Sequence, residues 1–177
     1  MMKKFMEIPC GQVAQETLDR MQNGGLFLTT CAKPGEPNTM TIGWGGIGCF
    51  FSKPVFYVPV RTSRHTFGLL KQSGEFTVSI PLHDMSEELL FAGTASGRDV
   101  AKFTGHGLTV APALDLSTPV VAECERHFEC RVFASTDVTE GAVPEDMLTR
   151  WYPDRDMHIL FFGEILRCYT LHITGKE

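Results

Sequence analysis

Residues 38–70 read NTMTIGWGGIGCFFSKPVFYVPVRTSRHTFGLL, and the order of signals in this run decides the fold. Asn38 to about Ile42 reads as a strand, a glycine cluster follows, and Phe50-Phe51 and VFYVPV (55–60) resume strand character on either side of Pro54. Gly43 to Gly48 satisfies G-x-G-x-x-G, which holds a dinucleotide only where a helix begins and its free amides meet a pyrophosphate. CFFSKPVFYV follows instead, too aromatic, β-branched and proline-bearing for a helix, and Val60 to Arg64 supplies no acidic ribose ligand. The Rossmann reading is rejected. An ordinary glycine-rich turn or bulge fits the same letters, as does a bare backbone wall for a flat ligand, and the pattern alone does not choose.

Outward from this run the chain alternates short strands with turns. Residues 11–22 carry helix formers stopped by Asn23-Gly24-Gly25, and LFLTTCA (26–32) is a strand closed by the turn Lys33 to Pro37. Ser63 is positioned to cap a short helix through about Gln72, ended by Gly74, and FTVSI (76–80) returns as a strand. Asp84 and Glu87 stand at capping-box spacing before a short helix over 84–93, and residues 94–112 read as loop. VVAECERHFECRVFAS (120–135) and MHILFFGEILRCYTLHI (157–173) read as long strands, joined by a polar connection (141–156) broken at Pro144 and Pro153. Strands separated by turns, with few long helices and no repeat or linker, predict one mainly β domain over 1–177, an antiparallel barrel or sandwich.

At 177 residues with 43% apolar content, the chain can bury a core without disulfide or metal staples. Its net charge of −5 argues against a general nucleic-acid or membrane-surface role. No apolar run is long enough to span a bilayer, and the start MMKKFMEIPC lacks the apolar stretch of a signal peptide, so a cytoplasmic location is the expectation. The six cysteines form no C-x-x-C pair and read as small buried residues. Cys124, His127 and Cys130 invite a zinc reading, but in a strand His127 faces away from both cysteines, and alternation explains the segment better.

Against this acidic background Val60 to Thr66 (VRTSRHT) stands out. Two guanidinium groups, the hydroxyls of Thr62, Ser63 and Thr66, and the first amides of a helix converge there, a donor set suited to a phosphate dianion. A solvated basic turn fits the same residues. A second donor-rich loop, Thr94 to Asp99, leads to Lys102 and completes a pocket if the fold brings it beside Arg61 and Arg64.

Together these segments resemble the flavin reductase-like family of FMN-binding split barrels, which includes flavoredoxin. The likeness rests on NTMTIGWGGIG (38–48), KPVFYVPVRTSRHTFGLL (53–70), EFTVSIP (75–81) and SGRDVAKF (96–103), in the family's order, and extends loosely to about residue 173. It implies a Greek-key split β-barrel with short peripheral helices, working as a homodimer with FMN at or near the subunit interface. By the same resemblance, Thr41, Gly43, Trp44, Gly45 and Ile47 would line the isoalloxazine. Arg61, Thr62, Ser63, Arg64 and Thr66 would hold the phosphate, with Ser96, Gly97 and Lys102 closing over it.

No acid, base or nucleophile stands out, as expected where the flavin carries the chemistry. The leading functional expectation is an NAD(P)H-dependent flavin reductase or related flavin oxidoreductase taking NADH or NADPH. The alternatives are a non-enzymatic FMN electron carrier reduced by another redox protein, and a carrier of FMN without turnover. His158 and His172 bracket the last strand and stay outside the predicted site. Trp151-Tyr152 reads as packing or a lid.

Overall fold

The computed structural model describes residues 3–173. Eight strands form one antiparallel sheet: β1 (Lys3–Glu7), β2 (Leu26–Thr30), β3 (Asn38–Ile42), β4 (Gly46–Phe50), β5 (Lys53–Arg61), β6 (Glu75–Ile80), β9 (Arg126–Asp137) and β10 (His158–Ile173). Their order is β3-β2-β6-β9-β10-β5-β4, with β1 beside the second half of β10. The sheet curls around its core without closing. Its outer strands, β3 and β4, are successive in sequence and are joined by Gly43-Trp44-Gly45 rather than by a ladder. The sheet is therefore split at the glycine-rich segment.

Alternation sets the inner face. Leu26 and Leu28 of β2, Phe56, Val58 and Val60 of β5, Phe76 and Val78 of β6, and Phe128 and Cys130 of β9 meet in the main core. Helix α2 (His65–Ser73) places Leu70 in that core and packs against β2, β3, β5 and β6. Gly74 ends it in the left-handed conformation, at φ 66°. Strand β2 is buried on both faces, because α3 (Ser86–Thr94) covers the other side through Phe27, Met85, Leu89 and Ala92. Helix α1 (Ala14–Gln22), preceded by a 3₁₀ turn at Cys10–Val13, ends at Asn23 before Gly24 and Gly25.

Several local expectations are corrected. Residues 120–135 are not one strand: β8 (Val120–Val121) pairs with β7 (Val110–Ala111) as a separate ribbon, and the chain turns before β9 begins at Arg126. Cys124 consequently packs under α3 while Cys130 sits in the main core, so the strand reading that related them does not hold. The polar side of β9 is also covered. Glu129 is fully buried and accepts the amides of Leu114, Asp115 and Leu116 at 2.6, 2.8 and 3.1 Å, and His127 bonds Ser79 at 3.0 Å.

The connection over 141–156 forms a helix between its prolines, α4 (Glu145–Trp151), with Pro144 at its N-cap where a missing N–H costs little. Ser63, finally, does not cap α2. Arg64 is the N-cap residue, and the Ser63 hydroxyl donates to the Asp156 carboxylate at 2.6 Å, a stronger acceptor interaction than a cap would give.

Candidate functional site

Two adjoining cavities open at the split and share Met40, Arg61 and Arg64. The first, of about 170 Å³, is walled by Met40 to Trp44 of β3 and its exit, Pro59 and Arg61 of β5, Arg64 and His158. Among the described residues no strand lies outside β3, so its outer backbone edge faces this space. The second, of about 270 Å³, is lined among others by Arg61, Ser63, Arg64 and Thr66 from the β5–α2 turn and by Ser96, Gly97, Arg98 and Lys102 from the loop after α3. The two donor-rich loops, far apart in sequence, thus share one chamber.

The cations of this chamber are fixed by backbone oxygens. Lys102 Nζ donates to the Ala92 carbonyl at 2.7 Å and Arg64 Nη1 to the Gly93 carbonyl at 2.8 Å, both in the last turn of α3, where carbonyls lack helical partners. Arg98 Nη1 donates to the Ser63 carbonyl at 3.0 Å and ties the loops together. Each of these bonds uses one donor and leaves others for the cavity. Lys102 is only 4% exposed. Burial first, and Arg64 second, push its ammonium down to about 8. Burial, Arg98 and Lys102 lower His65 in the same way. Among the described residues Asp156 is the only carboxylate lining the chamber, and it is engaged with Ser63 and Thr62. Lys102, Arg64 and Arg98 outnumber this one carboxylate, so the wall carries an excess of positive charge.

Close approach explains Gly97. A Cβ there would sit 2.0 Å from Asn38 Oδ1 and 2.9 Å from His65 Cδ2, while Asn38 Nδ2 donates to Thr66 Oγ1 at 2.9 Å. The glycine segment has a different explanation. A Cβ on Gly45, at φ 141°, would meet the Tyr57 carbonyl at 2.6 Å, and one on Gly46 would meet the Tyr57 hydroxyl at the same distance. Those two glycines serve the turn itself, the ordinary reading of the pattern.

The predicted site residues therefore divide. Thr41, Gly43, Trp44, Arg61, Ser63, Arg64, Thr66, Ser96, Gly97 and Lys102 line the two cavities. Gly45 faces a separate groove beside Leu18 and Met21, Ile47 packs against the main core, and Thr62 donates to Asp156 at 3.3 Å outside the cavity lining. Arg61 is more committed than its sequence position shows. It donates to the carbonyls of Asp156 (2.6 Å) and Trp151 (2.7 Å) and lies over the Tyr152 ring, which pins the segment after α4 across the site.

Arg98, Asn38, His65, Asp156 and His158 also line these cavities, outside the predicted set. Arg98 had a readable signal, standing one helical turn before Lys102 in a loop already singled out. His158 had none, because only strand register sets it opposite Arg61. It is buried, shares a hydrogen bond with the Tyr152 hydroxyl at 2.8 Å and lies 5.1 Å from the Trp44 ring, which meets Trp151 edge-on at 5.3 Å. Burial, then Arg61, press its imidazole down to about 4 against the opposing pull of Asp156, so it is neutral near pH 7.

Fold and cavities together define an open antiparallel barrel with a cleft at its split lined by Arg61, Arg64, Arg98 and Lys102. A model of the flavin reductase like domain matches residues 18–176, and the chain belongs to that family. An uncharacterised protein of Archaeoglobus fulgidus is 30% identical over 142 residues, 80% of this chain and 67% of its own. The flavoredoxin of Desulfovibrio vulgaris (Miyazaki F) superposes with a TM-score of 0.64 at 25% identity, covering 81% of this chain and 67% of its own. A Shewanella frigidimarina protein with a split barrel domain gives a TM-score of 0.66 at 16% identity, over 88% and 72% of the two chains, a likeness of fold alone. The architecture is that of the split barrels.

The depressed His158 has a consequence for stability. Unfolded chains take up its proton near pH 6.5, whereas the folded protein resists until about 4. The parent is expected to lose stability relative to His158→Gln as pH falls from about 6.5 toward 4, and the two are expected to differ by a constant amount above pH 7. Urea midpoints across that range measure it.

Proposed function

We propose that this chain binds FMN across the two cavities and acts as a flavin oxidoreductase, reduced by NADH or NADPH. The observation that carries the reading is the buried Lys102 with Arg64 and Arg98 in one chamber, beside an open strand edge. A phosphomonoester suits the chamber, since its oxygens would accept from Lys102, Arg64, Arg98 and the hydroxyls of Ser63 and Ser96. The first cavity offers the flavin ring the backbone edge of β3, the Trp44 side chain and a neutral His158.

When bound, the flavin supplies the hydride and electron chemistry. The protein's part is to fix the phosphate by charge, lay the ring against β3 and leave one side open to a reductant. The similarity to flavoredoxin at 25% identity supports the second reading, an FMN electron carrier reduced by another redox protein.

A homodimer belongs to the same proposal. Phe50 (45% exposed) and Phe51 (71%) cluster with Phe133 and Phe162, ring centroids 4.4 to 6.5 Å apart. Tyr57, Pro59 and Arg61 alternate with the core-facing residues of β5 and carry this outer face along the strand to the cavity. An aromatic surface continuous with a ligand cleft suits a second copy of the chain. Light scattering is expected to report a dimer for the parent and a monomer for Phe51→Asp, a residue type tolerated at the φ of 51° found there.

Lys102→Met is expected to weaken FMN binding by about tenfold or more while changing riboflavin binding little, read by flavin fluorescence. In the parent, FMN affinity should fall as pH rises above about 8, where Lys102 loses its proton before an anion arrives, and this limb should be missing from the variant. Equal loss of both flavins contradicts the phosphate assignment. Anaerobic stopped-flow mixing with NADH and NADPH decides the donor: rapid bleaching of the oxidised-flavin absorbance is expected. No bleaching with either nucleotide leaves the carrier.

A further inference from the structure

The phosphate loop already holds an anion, and it is one of the protein's own. The Asp156 carboxylate accepts from the Ser63 hydroxyl at 2.6 Å, the Ser63 amide at 3.4 Å and the Thr62 hydroxyl at 3.3 Å. These are donors of the same β5–α2 turn whose next residues, Arg64 and Thr66, line the phosphate chamber, and Asp156 lines that chamber with them. Burial would raise the Asp156 carboxyl, but the bonds from Ser63 and Thr62 and the nearby Arg61 together hold it below the ordinary aspartate value. It is a charged acceptor at neutral pH.

The backbone is arranged to deliver it. Arg155, immediately before Asp156, has φ 55°, a left-handed conformation that side-chain-bearing residues avoid. Its guanidinium meets Glu140 at 3.5 Å and Glu145 at 3.4 Å, its amide donates to the Tyr152 carbonyl at 3.0 Å, and Arg61 grips the Asp156 carbonyl. Strain of this kind persists only where surrounding contacts impose it. Here they hold a carboxylate against the site's own donors.

We propose that Asp156 is an internal competitor for the phosphate loop, a carboxylate that limits how tightly the loop holds a phosphomonoester. The inference rests on the flavin-phosphate reading above and deepens it. A phosphate entering the chamber meets Lys102, Arg64 and Arg98 together with a like charge. Asp156 must then yield Ser63 or repel the newcomer, and either outcome lowers affinity. Because Arg61 grips the backbone oxygen of Asp156 and not its side chain, removing the carboxylate leaves the segment anchored.

The test compares FMN and riboflavin binding by the parent, Asp156→Asn and Asp156→Ser, all as the full chain, with thermal melting to confirm folding. Both variants are expected to bind FMN about tenfold tighter than the parent and riboflavin within about twofold of it, since only the phosphate senses the charge. An unchanged or smaller preference for FMN over riboflavin in whichever variant folds overturns the proposal. Weaker binding of both flavins also overturns it, because Asp156 would then be a brace for the loop. Failure of the underlying reading looks different: the parent itself would bind FMN no tighter than riboflavin.

Discussion

The carbonyls at the end of α3 are where the site begins. A helix leaves its last carbonyls without partners, and here those of Ala92 and Gly93 take Lys102 and Arg64. That arrangement brings two cations to one wall, and Arg98 joins them through the Ser63 carbonyl. The positions are set by backbone, so they do not depend on a carboxylate partner that would neutralise them. Burial of Lys102 without such a partner is expensive, and a bound phosphate would offset that cost.

The sheet supplies the second requirement. Because β3 and β4 are joined by a glycine turn and not by a ladder, the curled sheet stays open there, and β3 keeps an edge without a strand partner beside the cationic chamber. Gly45 and Gly46 allow this by letting Tyr57 approach their backbone. The segment carrying α4 lies across the opening, held by Arg61 through the Trp151 and Asp156 carbonyls and by the bond between Tyr152 and His158. Trp151 meets Trp44 at one cavity while Asp156 meets Ser63 at the other, so one connection touches both halves of the cleft.

Much of this was legible one segment at a time. Strand character over 26–32, 38–42, 55–60, 76–80 and 157–173 followed from apolar, β-branched and aromatic runs punctuated by glycine and proline. The concentration of donors at Arg61 to Thr66 stood out because the rest of the chain is acidic. Misreadings occurred where a segment's neighbours, not its own letters, decide its state. Residues 120–135 look continuous, yet Val120 and Val121 pair with a ribbon that cannot be anticipated, and Glu129 looks solvent-facing until three amides of the preceding loop close over it. Ser63 has the chemistry of a helix cap, but a carboxylate more than ninety residues away takes its hydroxyl.

Residue type and order alone determined an antiparallel, mainly β domain, a glycine turn that is no dinucleotide motif, and two loops rich in anion donors. Those features are local: backbone propensity and side-chain chemistry act within a few residues of themselves. Tertiary structure decided which donors share a chamber, that Arg61 is spent largely on pinning the segment after α4, that His158 stands opposite it, and that Asp156 takes the hydroxyls of Thr62 and Ser63. Such facts depend on strand register and on contacts between segments separated by dozens of residues, where a shift of one position turns a side chain to the other face.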